Sequence, residues 1–268
     1  MKILDGRELA DYIKERQARQ VRALRQASHV FPALAIVQTS DDPVIDTYVR
    51  LKKSYGEDIL ITTIVHKVAQ GDALATIKQL NEDDAIHGII VQLPLADPTQ
   101  TDEIIGAIAP EKDVDGLSSR NYTPATAMAI NWLLAGYNID LRDKAIAIVG
   151  QGRLVGTPLA ELWQEASYNV SVYDDTVGDL GAELRKAQVI VTATGVPGLV
   201  KSQMIQPGAV VVDAGTASEQ GKIVGDVAED VRDREDLTIT PEKGGVGPLT
   251  VAALFDNLIQ AAQAIAKS

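Results

Sequence analysis

The sequence predicts an α/β protein of two domains, and three observations point there. Short runs rich in Val and Ile recur along the chain, stretches with helical spacing separate them, and the alternation breaks at two places. The chain has 268 residues, more than one compact core usually holds. Hydrophobic residues make up 46% and charged residues 23%, the balance of an ordinary soluble globular protein.

The apolar runs are residues 34–39, 59–65, 86–93, 145–149, 169–173, 188–193 and 209–213. Their length and β-branched content fit strands buried in a parallel sheet. Leu9, Ile13, Val21 and Leu24 mark one face of a first helix, and Ala73, Ile77 and Leu80 mark another. Helices between parallel strands make right-handed crossovers. The first break, at 110–126, contains Gly116, two serines and Pro124 and precedes a helix through Trp132 and Leu134. The second, at 241–248, holds three glycines and two prolines and precedes an apolar helix from 250 to about 266. This last helix is expected to return onto the first domain. That domain would then comprise residues 1–137 and 249–268, and the second 138–248.

The formal net charge of −12 argues against a nucleic-acid partner, because phosphate binding needs a positive field. The absence of cysteine excludes disulfides, thiolate metal sites and cysteine nucleophiles. His29, His66 and His87 lack the spacing of metal ligands, so no metal is expected. The charged beginning MKILDGRELADYIK has no signal-peptide core, and no apolar run approaches a membrane span. A cytoplasmic protein without membrane association is expected.

After the run 145–149 comes GQGRLVGTP, with Gly150, Gly152 and Gly156 at a strand-to-helix turn. Glycines there permit the tight turn and let the backbone approach a pyrophosphate, whose charge sits on the amide end of the next helix. Pro158 suits that helix's first turn. The second domain is thus read as a Rossmann-type, NAD(P)-binding parallel sheet, with Gln151, Arg153 and Val155 as further contacts; a glycine turn that serves packing alone is the other reading. Asp174 follows Gly150 by 24 positions, near the offset of about 20 at which an acid bonds the adenosine ribose. An acid there repels a 2′-phosphate, so Asp174 and Asp175 favour NAD over NADP, unless they merely open a solvated turn with Thr176 and Gly178. The loops at Thr194-Gly195 and Gly215-Thr216 follow strands and are candidate cofactor contacts.

Residues 47–52 read as helical, so Tyr48 and Lys52, four apart, share one face. In a desolvated cleft such a lysine loses its preference for charge and exchanges protons near neutral pH. Spacing alone favours the other reading, an exposed lysine over a tyrosine at an ordinary helical spacing. Gln92 follows the run 86–91, with Leu93 and then Pro94, which ends the strand. A polar side chain at that carboxyl end faces the ligand crevice of an α/β sheet. Asp115, in EKDVDG, lies on the loop before the domain junction. Turn satisfaction and helix capping are the structural alternatives for Gln92 and Asp115.

Seven stretches occur in order: ILDGRELA, YVRLK, GIIVQLPL, EKDVDG, VGQGRLVGTP, GKIVGDV and GGVGPLTVAAL. Through them nearly the whole chain resembles the bifunctional methylenetetrahydrofolate dehydrogenase/methenyltetrahydrofolate cyclohydrolase family, the FolD family of bacteria. The resemblance implies an N-terminal folate-binding catalytic domain in which Tyr48 and Lys52 do the chemistry, Gln92 holds the lysine and Asp115 binds the pterin. Further folate contacts are expected at Leu93, Pro94, Gly245 and Pro248. It implies oxidation of 5,10-methylenetetrahydrofolate by NAD(P), usually NADP in the family. Hydrolysis of the methenyl product to 10-formyltetrahydrofolate follows, in a homodimer with an active cleft between the two domains of each chain.

Several positions depart from the family pattern. Val44-Ile45 stand for the usual Ala-Ser, the 117–125 segment is short, Ala127 and Lys243 replace prolines, and Gly152 replaces a serine. Gly152 bears on cofactor choice, while Val44-Ile45 and the short 117–125 segment make a dehydrogenase with weak or lost cyclohydrolase activity one alternative. A two-domain amino-acid or hydroxy-acid dehydrogenase is another, though it gives no reason for VQLP or DVDG.

Overall fold

Each of the seven apolar runs overlaps one strand. The computed structural model describes residues 1–119, 121–219 and 222–267, so Gly221 of the stretch 221–227 lies outside the described residues. The chain runs through β1 (Lys2–Ile3), α1 (Gly6–Ala27), β2 (Ala33–Gln38), α2 (Pro43–Asp58), β3 (Thr62–Lys67), α3 (Ala73–Glu82), β4 (Gly88–Val91) and α4 (Thr101–Gly106). Next come α5 (Ala125–Gly136), β5 (Ile146–Val149), α6 (Gly156–Glu165), β6 (Val170–Tyr173), α7 (Leu180–Leu184) and β7 (Val189–Thr192). It ends with β8 (Val210–Asp213), β9 (Ala217–Glu219), β10 (Lys222–Val224), α8 (Glu229–Arg232), β11 (Thr238–Ile239) and α9 (Val246–Ile265).

Two compact units result. Asp11–Ala125 joins Val251–Ser268 in one, and Met1–Ala10 joins Thr126–Thr250 in the other. The first unit is built on a parallel sheet of order β3-β2-β4. Its central strand is buried throughout, and Ala35, Val37, Ile77, Ile89, Val91 and Ile104 form its core. From β2 the chain passes through α2 to β3 on one side, then through α3 to β4 on the other. The carboxyl ends of β2 and β4 therefore flank a switch point, where α/β sheets bind ligands. From Val251 on, the C-terminal helix belongs here: a Cβ on Gly88 would lie 2.6 Å from Leu258 Cδ1.

The second unit holds a six-stranded parallel sheet of order β1-β11-β8-β7-β5-β6. Here too the strand order reverses, with β6 on one side of β5 and β7 on the other, and the glycine turn follows β5.

Two expected buried strands are edges instead. β3 and β6 pair on one side only and contain no fully buried residue, because apolar content does not reveal how many neighbours a strand has. Residues 1–10, 126–137 and 249–250, expected with the first domain, cluster with the six-stranded sheet. β1 adds beside β11, Leu9 packs over Gly136, and Trp163 Nε1 donates to Asn131 Oδ1 on α5 at 3.3 Å. Helix α9 begins at Val246 and not at 250. Pro248 sits in its first turn, where a missing N–H removes no helical hydrogen bond.

Candidate active site

Helix α2 starts on Asp42, whose carboxylate accepts from Val44 N at 2.7 Å and Ile45 N at 3.2 Å, with Pro43 in the first turn. Ile45, Val49 and Gly56 are buried. Lys52 falls in the same stripe at helical spacing, so the helix turns a lysine inward where an apolar residue would ordinarily sit. Lys52 Nζ lies 2.7 Å from Gln92 Oε1 and donates to it. The Gln92 amide donates in turn to Leu93 O at 3.1 Å, which aims its oxygen at the lysine. The Leu93–Pro94 peptide is cis.

Burial pushes the Lys52 pKa below the ordinary lysine value, while the negative charge of Asp115 opposes the shift. Burial likewise raises the Asp115 pKa, with Lys52 pulling it down. Burial also raises Tyr48, so its hydroxyl keeps its proton at neutral pH. Tyr48 lies four residues before Lys52 on the same helical face. The group can therefore exchange a proton at Lys52 Nζ, hold that amine by an amide oxygen, and present a carboxyl and a phenol to a ligand.

The Asp115 loop is built by its neighbours. Asp113, 1% exposed, accepts from Ser118 N at 2.9 Å and Ser119 N at 2.8 Å. Lys112 spends its charge capping α3, donating to the carbonyls of Leu80, Asn81 and Asp83 at 2.8–3.0 Å. Lys112 and Asp113 are thus consumed by the fold, whereas Asp115 makes no hydrogen bond among the described residues. Asn257 on α9 closes the loop by donating to Val114 O and Thr123 O, both at 2.9 Å.

Asn257→Leu strands one buried and one part-buried carbonyl, each worth about 1–3 kcal/mol when left unpaired. The variant is expected to lose about 2–4 kcal/mol of stability, read from the urea midpoint at unchanged slope.

Sequence reading missed a second clamp on α2. Gln38, at the carboxyl end of β2, donates to Asp46 Oδ1 at 2.8 Å and to Ser40 O at 2.7 Å, and Lys67 reaches Asp46 at 3.2 Å. The last residue of β2 and the residue after β4 are thus glutamines that hold α2, through Asp46 and Lys52 respectively. Polar residues at the ends of otherwise apolar runs were the available signal, as was Asn257 within an apolar helix.

In the six-stranded unit the glycine turn is sterically required at two positions. Gly150 has φ +103°, and a Cβ there would lie 2.6 Å from Ala193 O; a Cβ on Gly156 would collide with Gly150 O. Gly152 is different, since nothing approaches its Cβ position closer than Ala193 O at 4.0 Å. The open side at Gly152 and the α6 amides fit a pyrophosphate.

Asp174 ends β6. Its Oδ1 accepts from Thr176 N at 3.0 Å and Thr176 Oγ1 at 2.6 Å, and its Oδ2 from Gln151 Nε2 at 3.3 Å. Asp174 thus opens a turn with Thr176 and also touches the glycine loop through Gln151. The Thr176 bonds lower its pKa, so it is ionised at neutral pH. Asp175 is exposed. The Thr194, Gly195, Gly215 and Thr216 loops lie at the same carboxyl edge, with Thr216 O 3.5 Å from a Cβ placed on Gly195. Gly245 and Pro248 also belong to this unit, before and in the first turn of α9.

A parallel sheet with a phosphate-fitting glycine turn, joined to an α/β unit that turns a lysine inward, defines a two-domain nicotinamide-dinucleotide enzyme. Residues 4–115 match the catalytic domain of the tetrahydrofolate dehydrogenase/cyclohydrolase family, and residues 124–266 match its NAD(P)-binding domain. The chain is 34% identical over 282 residues to the bifunctional protein FolD of Nautilia profundicola, covering 100% of this chain and 99% of that one. It superposes with a TM-score of 0.92 on the bifunctional FolD enzyme of Campylobacter jejuni, at 36% identity and 99% coverage of both. The Trypanosoma brucei dehydrogenase-cyclohydrolase, solved with NADP and an inhibitor, gives 0.90 at 30% identity, covering 99% of this chain and 98% of that one.

The chain belongs to the tetrahydrofolate dehydrogenase/cyclohydrolase family. Its enzyme class is therefore oxidoreductase and hydrolase in folate one-carbon metabolism, with an NAD(P)-binding domain. Among the described residues no helix is long and apolar enough to cross a membrane.

Proposed function

We propose that this chain oxidises 5,10-methylenetetrahydrofolate to the methenyl cation with NAD(P)+ and hydrolyses that product to 10-formyltetrahydrofolate. The observation that carries the assignment is Lys52 Nζ held at 2.7 Å by Gln92 Oε1 in surroundings that disfavour its charge. A cationic methenyl substrate beside the amine disfavours the ammonium further, so Lys52 takes and returns protons as water adds and the ring opens. Gln92 fixes the amine, Tyr48 lines the site, and Asp115 accepts hydrogen bonds from the pterin. Leu93, Pro94, Gly245 and Pro248 are the remaining folate contacts. The bound dinucleotide supplies hydride acceptance; Gly150, Gln151, Gly152, Arg153, Val155 and Gly156 hold its phosphates, and Thr194, Gly195, Gly215 and Thr216 the rest of the molecule. The test follows reduced nicotinamide and methenyl absorbance together with methylenetetrahydrofolate as substrate. Methenyl that accumulates and decays no faster than without enzyme would leave a dehydrogenase only.

Ionised Asp174 supports NAD as the preferred cofactor, because a 2′-phosphate would lie against a carboxylate. The kcat/KM ratio of NAD to NADP is expected to exceed unity and to fall about tenfold in Asp174→Ala, a change of ~1.4 kcal/mol. A wild type that favours NADP overturns this assignment. A homodimer in the cytoplasm completes the reading, with the dimer checked by light scattering.

A further inference from the structure

The stretch 221–227 has no part in the site described so far, yet it carries Asp226, which is fully buried. Its Oδ2 accepts from Thr192 Oγ1 and from Thr194 N, both at 2.6 Å. Its backbone N donates at 3.0 Å to Asp213 Oδ1, which also accepts from Gly215 N at 3.1 Å. Asp213 Oδ2 accepts from Val227 N at 3.2 Å and lies 3.4 Å from Arg232 Nη2. Two neighbouring carboxylates thus tie together three segments at the carboxyl edge of the six-stranded sheet: 192–195, 213–215 and 225–227. The fit leaves no slack, since a Cβ on Gly215 would collide with Asp226 and one on Gly225 with Asp213.

Stability is a poor reason for this arrangement. Two buried carboxylates repel, and Asp226 Oδ1 is buried with no donor among the described residues, which costs free energy that an apolar side chain would not. What the carboxylate does, and an apolar residue cannot, is fix the direction of the Thr194 amide and the Thr192 hydroxyl. That loop also presses on the glycine turn, whose Gly150 leaves room for Ala193 O. In a sheet of this order the two halves of a dinucleotide lie on opposite sides of the reversal. With Asp174 on the β6 side for the adenosine half, the β7 and β8 loops fall to the nicotinamide half.

We infer that Asp226 is a positioning residue for the nicotinamide half of the dinucleotide, acting through the Thr194-Gly195 loop. This rests on the dinucleotide role proposed above for that edge. Calorimetric titration of the full-length protein with NAD+ and with ADP, which lacks the nicotinamide half, tests it without turnover. If the wild type prefers NADP+, that dinucleotide and 2′-phospho-ADP serve.

In Asp226→Ala, dinucleotide affinity should fall about tenfold or more, ~1.4 kcal/mol, while ADP affinity and methenyl hydrolysis stay within about twofold of wild type. Asp226→Asn, whose amide oxygen can still accept both bonds, should recover most of the loss. Thr192→Val removes one bond without burying a new charge and should weaken the dinucleotide in the same sense, which keeps the test open if the alanine variant fails to fold. Equal weakening of ADP and dinucleotide, or no weakening of the dinucleotide, overturns the inference. A wild type that binds dinucleotide but does not turn over folate would instead overturn the proposed function.

Discussion

Replacing Lys52 with methionine is expected to slow methenyl hydrolysis by about 10²–10⁴-fold, the range for losing a positioned acid–base group, while hydride transfer continues at a reduced rate. The two reactions separate because only hydrolysis requires protons to be taken and returned as the ring opens. Methionine matches the length of the lysine stem and is at home in a buried stripe, and it relieves the fold of an inward-facing ammonium. The unfolding midpoint should therefore not fall, which distinguishes lost chemistry from lost structure.

The pH profile supplies a second readout. Burial holds the Lys52 pKa below the ordinary lysine value, so the neutral amine appears at lower pH than on an exposed lysine. Hydrolysis that uses this amine as base rises with pH through the lowered pKa, and the limb disappears in the methionine variant. Unchanged hydrolysis in Lys52→Met would put the proton shuttle elsewhere.

The second large effect is expected from Gly156→Ala. The added Cβ would collide with Gly150 O, and backbone cannot yield as the end of a flexible side chain can. The turn must open, at the typical overpacking cost of about 1–3 kcal/mol, and its amides then no longer converge on the pyrophosphate. A loss of roughly 10–100-fold in dehydrogenase kcat/KM for the dinucleotide corresponds to that cost. Methenyl hydrolysis needs no dinucleotide and should persist. Gly152→Ser is the matched control, since a Cβ at Gly152 meets open space, and it should be tolerated. Equal dehydrogenase activity in Gly156→Ala and wild type would remove the turn from cofactor binding.

Much of this was legible in residue order. Each apolar run from 34–39 to 209–213 overlaps a strand because Val and Ile at that density fit little else between helices. The glycine turn was legible because tight turns and close backbone approach demand glycine. β1 and β11 were not: two residues each carry no periodicity, and they become strands only because partners lie beside them. The helical pairing of Tyr48 and Lys52 could be read from spacing, but spacing gives neither burial nor partner.

The sequence alone determined the α/β class, the strand-to-helix glycine turn and the residue types available for proton transfer, because these follow from local periodicity and from side-chain chemistry. Only the tertiary structure decided which charges do work and which hold the fold. Lys112 caps α3 while Lys52 faces Gln92; Asp113 organises its loop while Asp115 makes no hydrogen bond among the described residues; Asp226 clamps loops distant in sequence. Burial and hydrogen-bond partnership arise between segments far apart in the chain, so neighbouring residues of the same type carry no local mark that tells them apart.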